Sequence, residues 1–457
     1  MKFHFKVVFV LLAVAIVSCS SKKEKETKSM FIKGKITVAD SVDSSGDYSG
    51  IELLIPRIDS EGTVSDTLFF AETEKSGEFE GTASFETKSY YALVINRNGN
   101  SIGQLNVILA EDDTLNIKAE LPGVAKTVSM QSKEYEAMKV FERTNRAFQR
   151  VLAAGNKGVL SDSVFQAEIN KWPDLFWEVA EKNKETLAAS LAIEKVAQLL
   201  NGWKNEVMME RIDAGLPADY VVGVAARYGK IYLADEKGLD AASTYLDSLI
   251  QISDNERVKE LVLRNKIEMY FDSSRVQSAK KMLQEYEKTY TKPISKQWAN
   301  NIRYDLNYLA PGVNVPPFSL VTLNGDTITA ETMKGNAYIL EISPLANQQY
   351  MADYDRTMVI YEIYKNYGLK LLTIPLDQSQ VTVDAFFEER RKAWPVAKIG
   401  SFDVQSIIEK FNVTQVPTRF LVDQNGVLVR KYDNREFSEV IQALNRTLKN
   451  KNNESIN

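Results

Sequence analysis

The stretch that decides the fold of the C-terminal third is Ser406–Tyr432, SIIEKFNVTQVPTRFLVDQNGVLVRKY. A Val-Pro step precedes an apolar run, Arg419–Val422, and the turn Asp423–Gly426 separates that run from a second one, Val427–Tyr432. Two apolar runs joined by an Asp-Gln-Asn-Gly turn predict a β-hairpin. The apolar periodicity of Phe437–Leu448 then predicts a helix that closes the chain.

Upstream of this stretch, the pattern alternates between strands and helices. Two short apolar runs, Ala337–Ile342 and Leu369–Leu376, predict buried strands, and a polar amphipathic helix is predicted between them. Strand, helix and strand followed by a hairpin are typical of an α/β sheet. We therefore expect α/β organisation from Ala310 onward.

Three further segments link this region to a known family. These are APGVNVPPFSLVTLNGD (residues 310–326), MKGNAYILEIS (residues 333–343) and KNYGLKLLTIPLD (residues 365–377). Together with the hairpin, they resemble the TlpA and ResA type of thioredoxin-like domain, related to the redoxin and AhpC/TSA group. The resemblance implies a thioredoxin-like fold over residues 310–450. It also implies a Cys-x-x-Cys motif where a helix begins, since a helix N-terminus lowers the pKa of the first thiol.

Neither cysteine of that motif is present. Counted from the flanking segments, the two positions fall on Asn347 and Tyr350, with Gln348 and Gln349 between them. An amide and a phenol cannot cycle through a disulfide. We therefore predict that the domain is redox-inactive, that the chain is not an enzyme, and that it uses no cofactor and no metal. Transfer from the family gives the alternative, a thiol-disulfide oxidoreductase in envelope redox homeostasis or cytochrome maturation.

Val416-Pro417-Thr418 matches the family's cis-proline loop, so the resemblance implies a cis bond at Pro417 and a groove beside it. An extended segment of a protein or peptide would pair with the backbone there, and we expect Tyr350 to be its exposed anchor. Asp353 maps to a family acidic position, and we interpret it as an exposed helical aspartate. The alternative is that the groove is only a retained scaffold.

The first 29 residues indicate export and anchoring. Residues 1–18 combine two lysines with an apolar run and a small residue, which is typical of a signal peptide. Ile16-Val17-Ser18-Cys19 resembles the lipobox of bacterial lipoproteins, and this implies cleavage before Cys19 and its acylation. A plain secretory leader is the alternative. Residues 19–29 would then be the lipidated cysteine and a flexible tether, and the lipid bilayer a partner.

The expected location is the cell envelope, as an outer-membrane lipoprotein facing the periplasm or the cell surface. The formal net charge of −5 argues against nucleic acid as a partner, because such binders need a basic surface. The only histidine, His4, lies in the leader, so the folded chain lacks His/Cys-type metal sites and histidine catalysis.

The remaining segments complete a multidomain chain. Short alternating runs in residues 30–121 predict an antiparallel β-sandwich, which resembles the small β domain of unknown function at the front of some Bacteroidetes lipoproteins. Residues 122–309 are predicted to be all-α, with one helical stretch at Ser163–Leu200 and a helix stop at Pro293. Residues 451–457 are predicted to be a disordered tail. With this organisation, a structural spacer is a further functional alternative.

Six serine or threonine residues each follow an aspartate and precede an apolar residue. This triplet resembles the O-glycosylation sequon of Bacteroidetes export proteins, and we expect modification at one or more sites. Asp-Ser and Asp-Thr are also common where a helix or strand begins, which is the alternative. The candidates are Ser41, Thr67, Thr114, Ser163, Ser248 and Thr327.

Overall fold

The computed structural model describes residues 27–58, 64–433, 437, 439–441, 443–444 and 447–448. Within these residues the chain forms two compact units, which divide after Glu142. The first unit is the β-rich one, and the second contains the helical region and the α/β region. Cys19 and most of the predicted tether lie outside the described residues, whereas Lys28 and Ser29 already belong to the first strand.

The first unit contains two four-stranded sheets that share one apolar core. The sheet orders are β4-β1-β7-β8 and β3-β2-β5-β6, and alternate residues of β2 and β7 are buried. The elements are β1 (Lys28–Val38), β2 (Ile51–Ile58), β3 (Val64–Glu72), β4 (Glu78–Phe85), β5 (Ser89–Arg97), β6 (Asn100–Leu109), β7 (Thr114–Leu121), α1 (Val124–Thr127) and β8 (Ser129–Gln131). The next helix, α2 (Lys133–Asn156), includes the division after Glu142.

The prediction of a purely antiparallel sandwich is wrong for one pair of strands. β1 and β7 run parallel, with Phe31 opposite Thr114 and Val38 opposite Leu121. Apolar alternation reports which face of a strand is buried, but it contains no information about the direction of the neighbouring strand. The pairing was therefore not readable from the strand pattern.

The helical region is more divided than its periodicity predicts. Ser163–Leu200 is not continuous: turns interrupt it, and Thr186 caps the last helix by accepting a hydrogen bond from Ala189 N at 3.2 Å. Pro293 begins a helix instead of ending one, since the first turn does not use the N–H that proline lacks. The helices are α3 (Asp162–Ile169), α4 (Trp172–Lys182), α5 (Leu187–Leu200), α6 (Asn205–Asp213), α7 (Asp219–Lys237), α8 (Leu239–Ile252), α9 (Glu256–Asp272), α10 (Val276–Thr289) and α11 (Pro293–Tyr308).

The α/β region is built on a four-stranded sheet of order β12-β11-β13-β14. β11 is parallel to β12 and antiparallel to β13, and both faces of the sheet are covered by apolar clusters. The predicted strands and hairpin are confirmed to within one residue. The elements are β9 (Ser319–Val321), β10 (Thr327–Thr329), α12 (Ala330–Met333), β11 (Ala337–Ser343), α13 (Gln348–Tyr364), β12 (Leu369–Pro375), α14 (Gln380–Glu388), α15 (Val404–Lys410), β13 (Thr418–Val422) and β14 (Leu428–Tyr432).

Candidate functional site

Asn347 and Tyr350, the residues at the two predicted Cys-x-x-Cys positions, lie where the chain passes from β11 into α13. Asn347 is the N-cap of α13, and its Oδ1 accepts a hydrogen bond from Tyr350 N at 3.0 Å. The preceding loop is held by Asp377, whose Oδ2 accepts from Leu345 N at 2.9 Å. Asn347 is half-buried, whereas Gln348 and Gln349 are exposed. The start of the helix thus presents amides to solvent at the position where the resemblance implied a thiol.

Tyr350 is buried, with 1% of its surface exposed. Its hydroxyl lies 3.4 Å from Glu341 Oε2 and 3.3 Å from Thr373 Oγ1, which are long hydrogen bonds. Its ring contacts Tyr354 and Phe386, with centroids 6.0 Å away in both cases. The prediction that Tyr350 is an exposed anchor is therefore wrong, because the N3 position of this helix points into the core.

A buried ion cluster lies directly beneath Tyr350. Arg419 Nε donates to Glu341 Oε1 at 2.9 Å, and Arg419 Nη2 donates to Asp353 Oδ2 at 3.1 Å. Each of the three side chains is 1% exposed. Glu341 and Arg419 face each other across the β11–β13 pair, and Asp353 is one helical turn beyond Tyr350. The interpretation of Asp353 as an exposed aspartate is wrong, since its position on α13 faces the sheet.

The cluster is closed by polar and aromatic neighbours. Trp394 Nε1 donates to Thr373 Oγ1 at 2.9 Å, and the Thr373 hydroxyl donates to Glu341 Oε2 at 3.3 Å. The Phe437 ring lies 4.8 Å from the Arg419 guanidinium carbon. On the outer side, Gln349 Nε2 donates to Asp353 Oδ1 at 3.0 Å. Most of the polar atoms below the helix start are thereby occupied by one another.

The titration behaviour of Tyr350 is that of a structural phenol. Burial, followed by the negative charge of Glu341, raises the pKa of Tyr350 well above its ordinary value. The phenol stays protonated at physiological pH and offers no nucleophilic oxygen. Among the residues that the structure describes, no three carboxylate, histidine or cysteine side chains meet in a group that could hold a metal ion.

The proline loop lies at the same edge of the sheet as Asn347. The Val416–Pro417 peptide bond is cis, as predicted. Ile342 at the end of β11 pairs with Thr418 at the start of β13, so the loops beyond these two residues leave the sheet together. Pro417 and Thr418 are buried and Val416 is half-buried. Of these three residues of the candidate groove, only Val416 is thus partly accessible.

The exposed rim of this edge is made of small and amide-bearing side chains. The amide and hydroxyl groups among them offer hydrogen bonds without charge, and each residue lies within two positions of the half-buried Asn347 or Val416 in the chain. They are Ala346, Gln348, Gln349, Thr414 and Gln415.

The six candidate glycosylation residues, Ser41, Thr67, Thr114, Ser163, Ser248 and Thr327, are all exposed. Asp66 and Asp113 each accept a hydrogen bond from the N–H of the following threonine at 2.8 Å. Asp113 also accepts from Lys133 N and Glu134 N at the start of α2, both at 3.1 Å. This capping role agrees with the structural alternative for that triplet, and modification of these sites stays a prediction. No helix in the described part of the chain has the length and apolarity needed to cross a membrane.

Sequence reasoning missed four residues of the site, namely Glu341, Arg419, Thr373 and Trp394. A signal for two of them was present. Glu341 interrupts the otherwise apolar run AYILEIS, and Arg419 interrupts TRFLV. A single charge within a strand that is buried on both faces predicts a partner of opposite charge on a neighbouring strand. Thr373 and Trp394 carried no such signal.

With this geometry established, the chain was compared with known proteins. No family model matches it. The thiol-disulfide oxidoreductase ResA of a Bacillus cereus strain is 24% identical over 132 residues, covering 29% of this chain and 75% of that protein. ResA of Geobacillus kaustophilus is 25% identical over 119 residues, covering 26% of this chain and 66% of that protein. A region similar to the TlpA/ResA type of thioredoxin-like domain thus covers about 30% of the chain.

Solved structures are similar over the same share of the chain. The thioredoxin domain of a thiol-disulfide oxidoreductase from Bacteroides vulgatus is 18% identical with a TM-score of 0.28, covering 30% of this chain and 97% of that one. A thioredoxin-family thiol:disulfide interchange protein from Chlorobium tepidum TLS is 19% identical with a TM-score of 0.26, covering 30% of this chain and 98% of that one. Unlike a protein with a Cys-x-x-Cys motif, this chain has a single cysteine, Cys19.

Proposed function

We propose that the chain is a cell-envelope lipoprotein whose thioredoxin-like domain binds a protein or peptide without redox chemistry. The observation that carries this proposal is the occupation of the second cysteine position by buried Tyr350, above the ion cluster of Glu341, Arg419 and Asp353. Thiol exchange needs an accessible sulfur that leaves and returns. A side chain packed in the core cannot perform that step.

The binding surface in this proposal is the backbone beside cis-Pro417 together with the amide rim. An extended peptide would pair with the backbone near Val416, which supplies affinity without regard to sequence. Gln348 and Gln415 would add hydrogen bonds, since both side chains are exposed. Tyr350 no longer has a direct role, and its packing instead holds the helix start in place.

Anchoring through Cys19 belongs to the same proposal. The signal peptide and the lipobox-like Ile16–Cys19 support acylation, and two or more acyl chains give durable membrane attachment. The proposed location is the outer membrane, facing the periplasm or the cell surface. The oxidoreductase alternative rests on the names of relatives such as ResA, and a spacer role would leave the rim unused.

Site-specific photo-crosslinking in living cells tests the binding role. A benzophenone amino acid is placed at Gln348 or Gln415 on the rim, and at Lys370 as an exposed control near the other end of the sheet, where β12 begins. We expect one discrete adduct from both rim positions and none from Lys370. Gln415→Arg should reduce the Gln348 adduct at least threefold, because it adds bulk and charge beside the groove. Absence of adducts at the rim, or equal adducts at Lys370, contradicts the proposal and favours a spacer.

A further inference from the structure

A second concave feature lies within the C-terminal unit, away from the loop that carries Asn347. It is a cleft of about 650 Å³ between helices α7 and α9 on one side and the thioredoxin-like sheet on the other. Ala337, the first residue of β11, lines it, whereas the site described above follows Ser343, the last residue of that strand. The two features therefore lie at opposite ends of β11. Clefts between packed regions are common places for small ligands.

The charged residues that line the cleft are predominantly acidic. Both cations are already paired: Arg430 contacts Glu439 and also Asp272 at 3.0 Å, and Lys230 lies 3.6 Å from Glu268. An excess of carboxylates in a partly enclosed space favours a positively charged occupant. The charged lining residues are Lys230, Asp235, Asp272, Asp423, Arg430 and Glu439.

Several carboxylate oxygens in the cleft are available to a ligand. Asp272 Oδ1 and Glu439 Oε1 accept no hydrogen bond within the described part of the chain, and neither does the exposed carboxylate of Asp235. Burial raises the pKa of Asp272 to about 6, even though Arg430 acts in the opposite direction. Asp272 is thus a carboxylate whose charge is incompletely compensated by the protein.

Apolar side chains form the remainder of the wall. Ile231 and Met269 come from α7 and α9, Val429 from β14, and Leu448 from the terminal helical segment. Methylene groups pack favourably against such side chains. Acidic acceptors beside an apolar wall complement a molecule with a cationic end and an aliphatic chain.

We propose that this cleft binds a small aliphatic amine, whose ammonium group donates hydrogen bonds to Asp272 and Asp235 while its methylenes contact Ile231 and Met269. This inference goes beyond the proposed peptide-binding function, because it uses a different surface and a different class of ligand. No covalent step is involved.

Isothermal titration calorimetry on the purified full chain tests the inference. The probes are 1,5-diaminopentane and glutarate, which share a five-carbon chain and carry opposite charges. We expect one binding site for the diamine and none for glutarate at pH 7.5. The affinity for the diamine should be weaker at pH 5, because Asp272 is then mostly protonated. The charged groups that act on Asp272 are Lys230, Glu268, Arg430 and Glu439.

Two adjacent residues on α7 provide a matched pair of variants. Asp235→Asn should weaken diamine binding about tenfold, since hydrogen bonds to charged groups are among the stronger ones. Glu236→Gln removes the same charge one residue away, outside the cleft lining, and should leave the affinity unchanged. Both side chains are exposed, so neither change endangers folding. The inference is overturned if the wild type does not bind the diamine, if glutarate binds as well, or if the two variants behave alike.

Discussion

Replacing Arg419 by methionine should destabilise the thioredoxin-like domain strongly. The change keeps an unbranched apolar stem, shortens the side chain and removes the cation that, among the described residues, alone contacts both Glu341 and Asp353 within 3.1 Å. Both carboxylates are 1% exposed, so Glu341 would remain buried without a cation and Asp353 would keep only the exposed Arg356 at 3.8 Å. Breaking a buried ion pair in this way costs about 3–5 kcal/mol. At roughly 1.4 kcal/mol for each factor of ten, the opening equilibrium should rise by about 10²- to 10³-fold or more.

Hydrogen exchange followed by mass spectrometry measures this effect in one domain of a multidomain chain. Amides of β11 and α13 should lose protection by that factor in Arg419→Met, whereas amides of β2 in the first unit should not change. Arg303→Met is the matched control. Arg303 is 48% exposed and pairs with Glu287, and surface pairs contribute only up to about 1 kcal/mol.

A compensated variant separates lost pairing from lost packing. Adding Glu341→Gln and Asp353→Leu to Arg419→Met removes every charge of the cluster, and such replacements are often neutral or stabilising. Arg419 Nη1 has no hydrogen-bond partner among the described residues, so the wild-type cluster is itself incompletely satisfied. We expect protection to return to within about tenfold of wild type. The reasoning is refuted if Arg419→Met matches wild type, or if the triple variant is as unprotected as the single one.

Four further predictions address chemistry, anchoring and the first unit. The purified chain should not accelerate insulin disulfide reduction by dithiothreitol, and turnover above the uncatalysed rate would reveal a missed chemistry. The double variant Asn347→Cys and Tyr350→Cys should form an internal disulfide on oxidation, detected as a 2 Da mass loss, because the two residues are three positions apart at a helix start where the Asn347 side chain already reaches Tyr350 N. Two free thiols after oxidation would argue otherwise. Cys19→Ala should move the protein out of the membrane fraction or leave it unprocessed, and unchanged membrane retention would contradict acylation. Gly34→Ala would place a methyl carbon 1.9 Å from the carbonyl oxygen of Ile117 in β7. It should lower the free energy of unfolding, measured by thermal denaturation, by about 1–3 kcal/mol or more, whereas Lys35→Ala at an exposed position should change it little.

The relatives are named as thiol-disulfide oxidoreductases, whereas this chain has no cysteine at the two predicted motif positions. ResA of Bacillus cereus shares 24% identity over 132 residues, which relates the domain and not its activity. In this chain the N-cap is an amide, and the residue three positions later is a phenol whose pKa is raised well above its ordinary value by burial. The helix start therefore keeps its capping geometry without a redox partner.

Much of the fold was predictable because it depends on local patterns. The hairpin around Asp423–Gly426 and the strands β11 and β12 agree with the apolar runs to within one residue. Errors arose where the outcome depends on distant partners. The parallel pairing of β1 with β7 joins residues about eighty positions apart, and no run of alternating residues records it. The division of Ser163–Leu200 into three helices reflects turns that helical periodicity alone did not reveal.

The sequence by itself determined which residues occupy the motif positions. They are Asn347 and Tyr350 in a chain with one cysteine, Cys19, and the predicted lack of disulfide exchange rests on these atoms alone. Tertiary structure alone decided what these positions do instead. Tyr350 is buried, and Asp353 pairs with Arg419, 66 residues away, while Glu341 pairs with the same guanidinium across 78 residues. Burial and ion pairing are properties of a side chain's neighbours in space, and those neighbours are brought together only by the folded sheet.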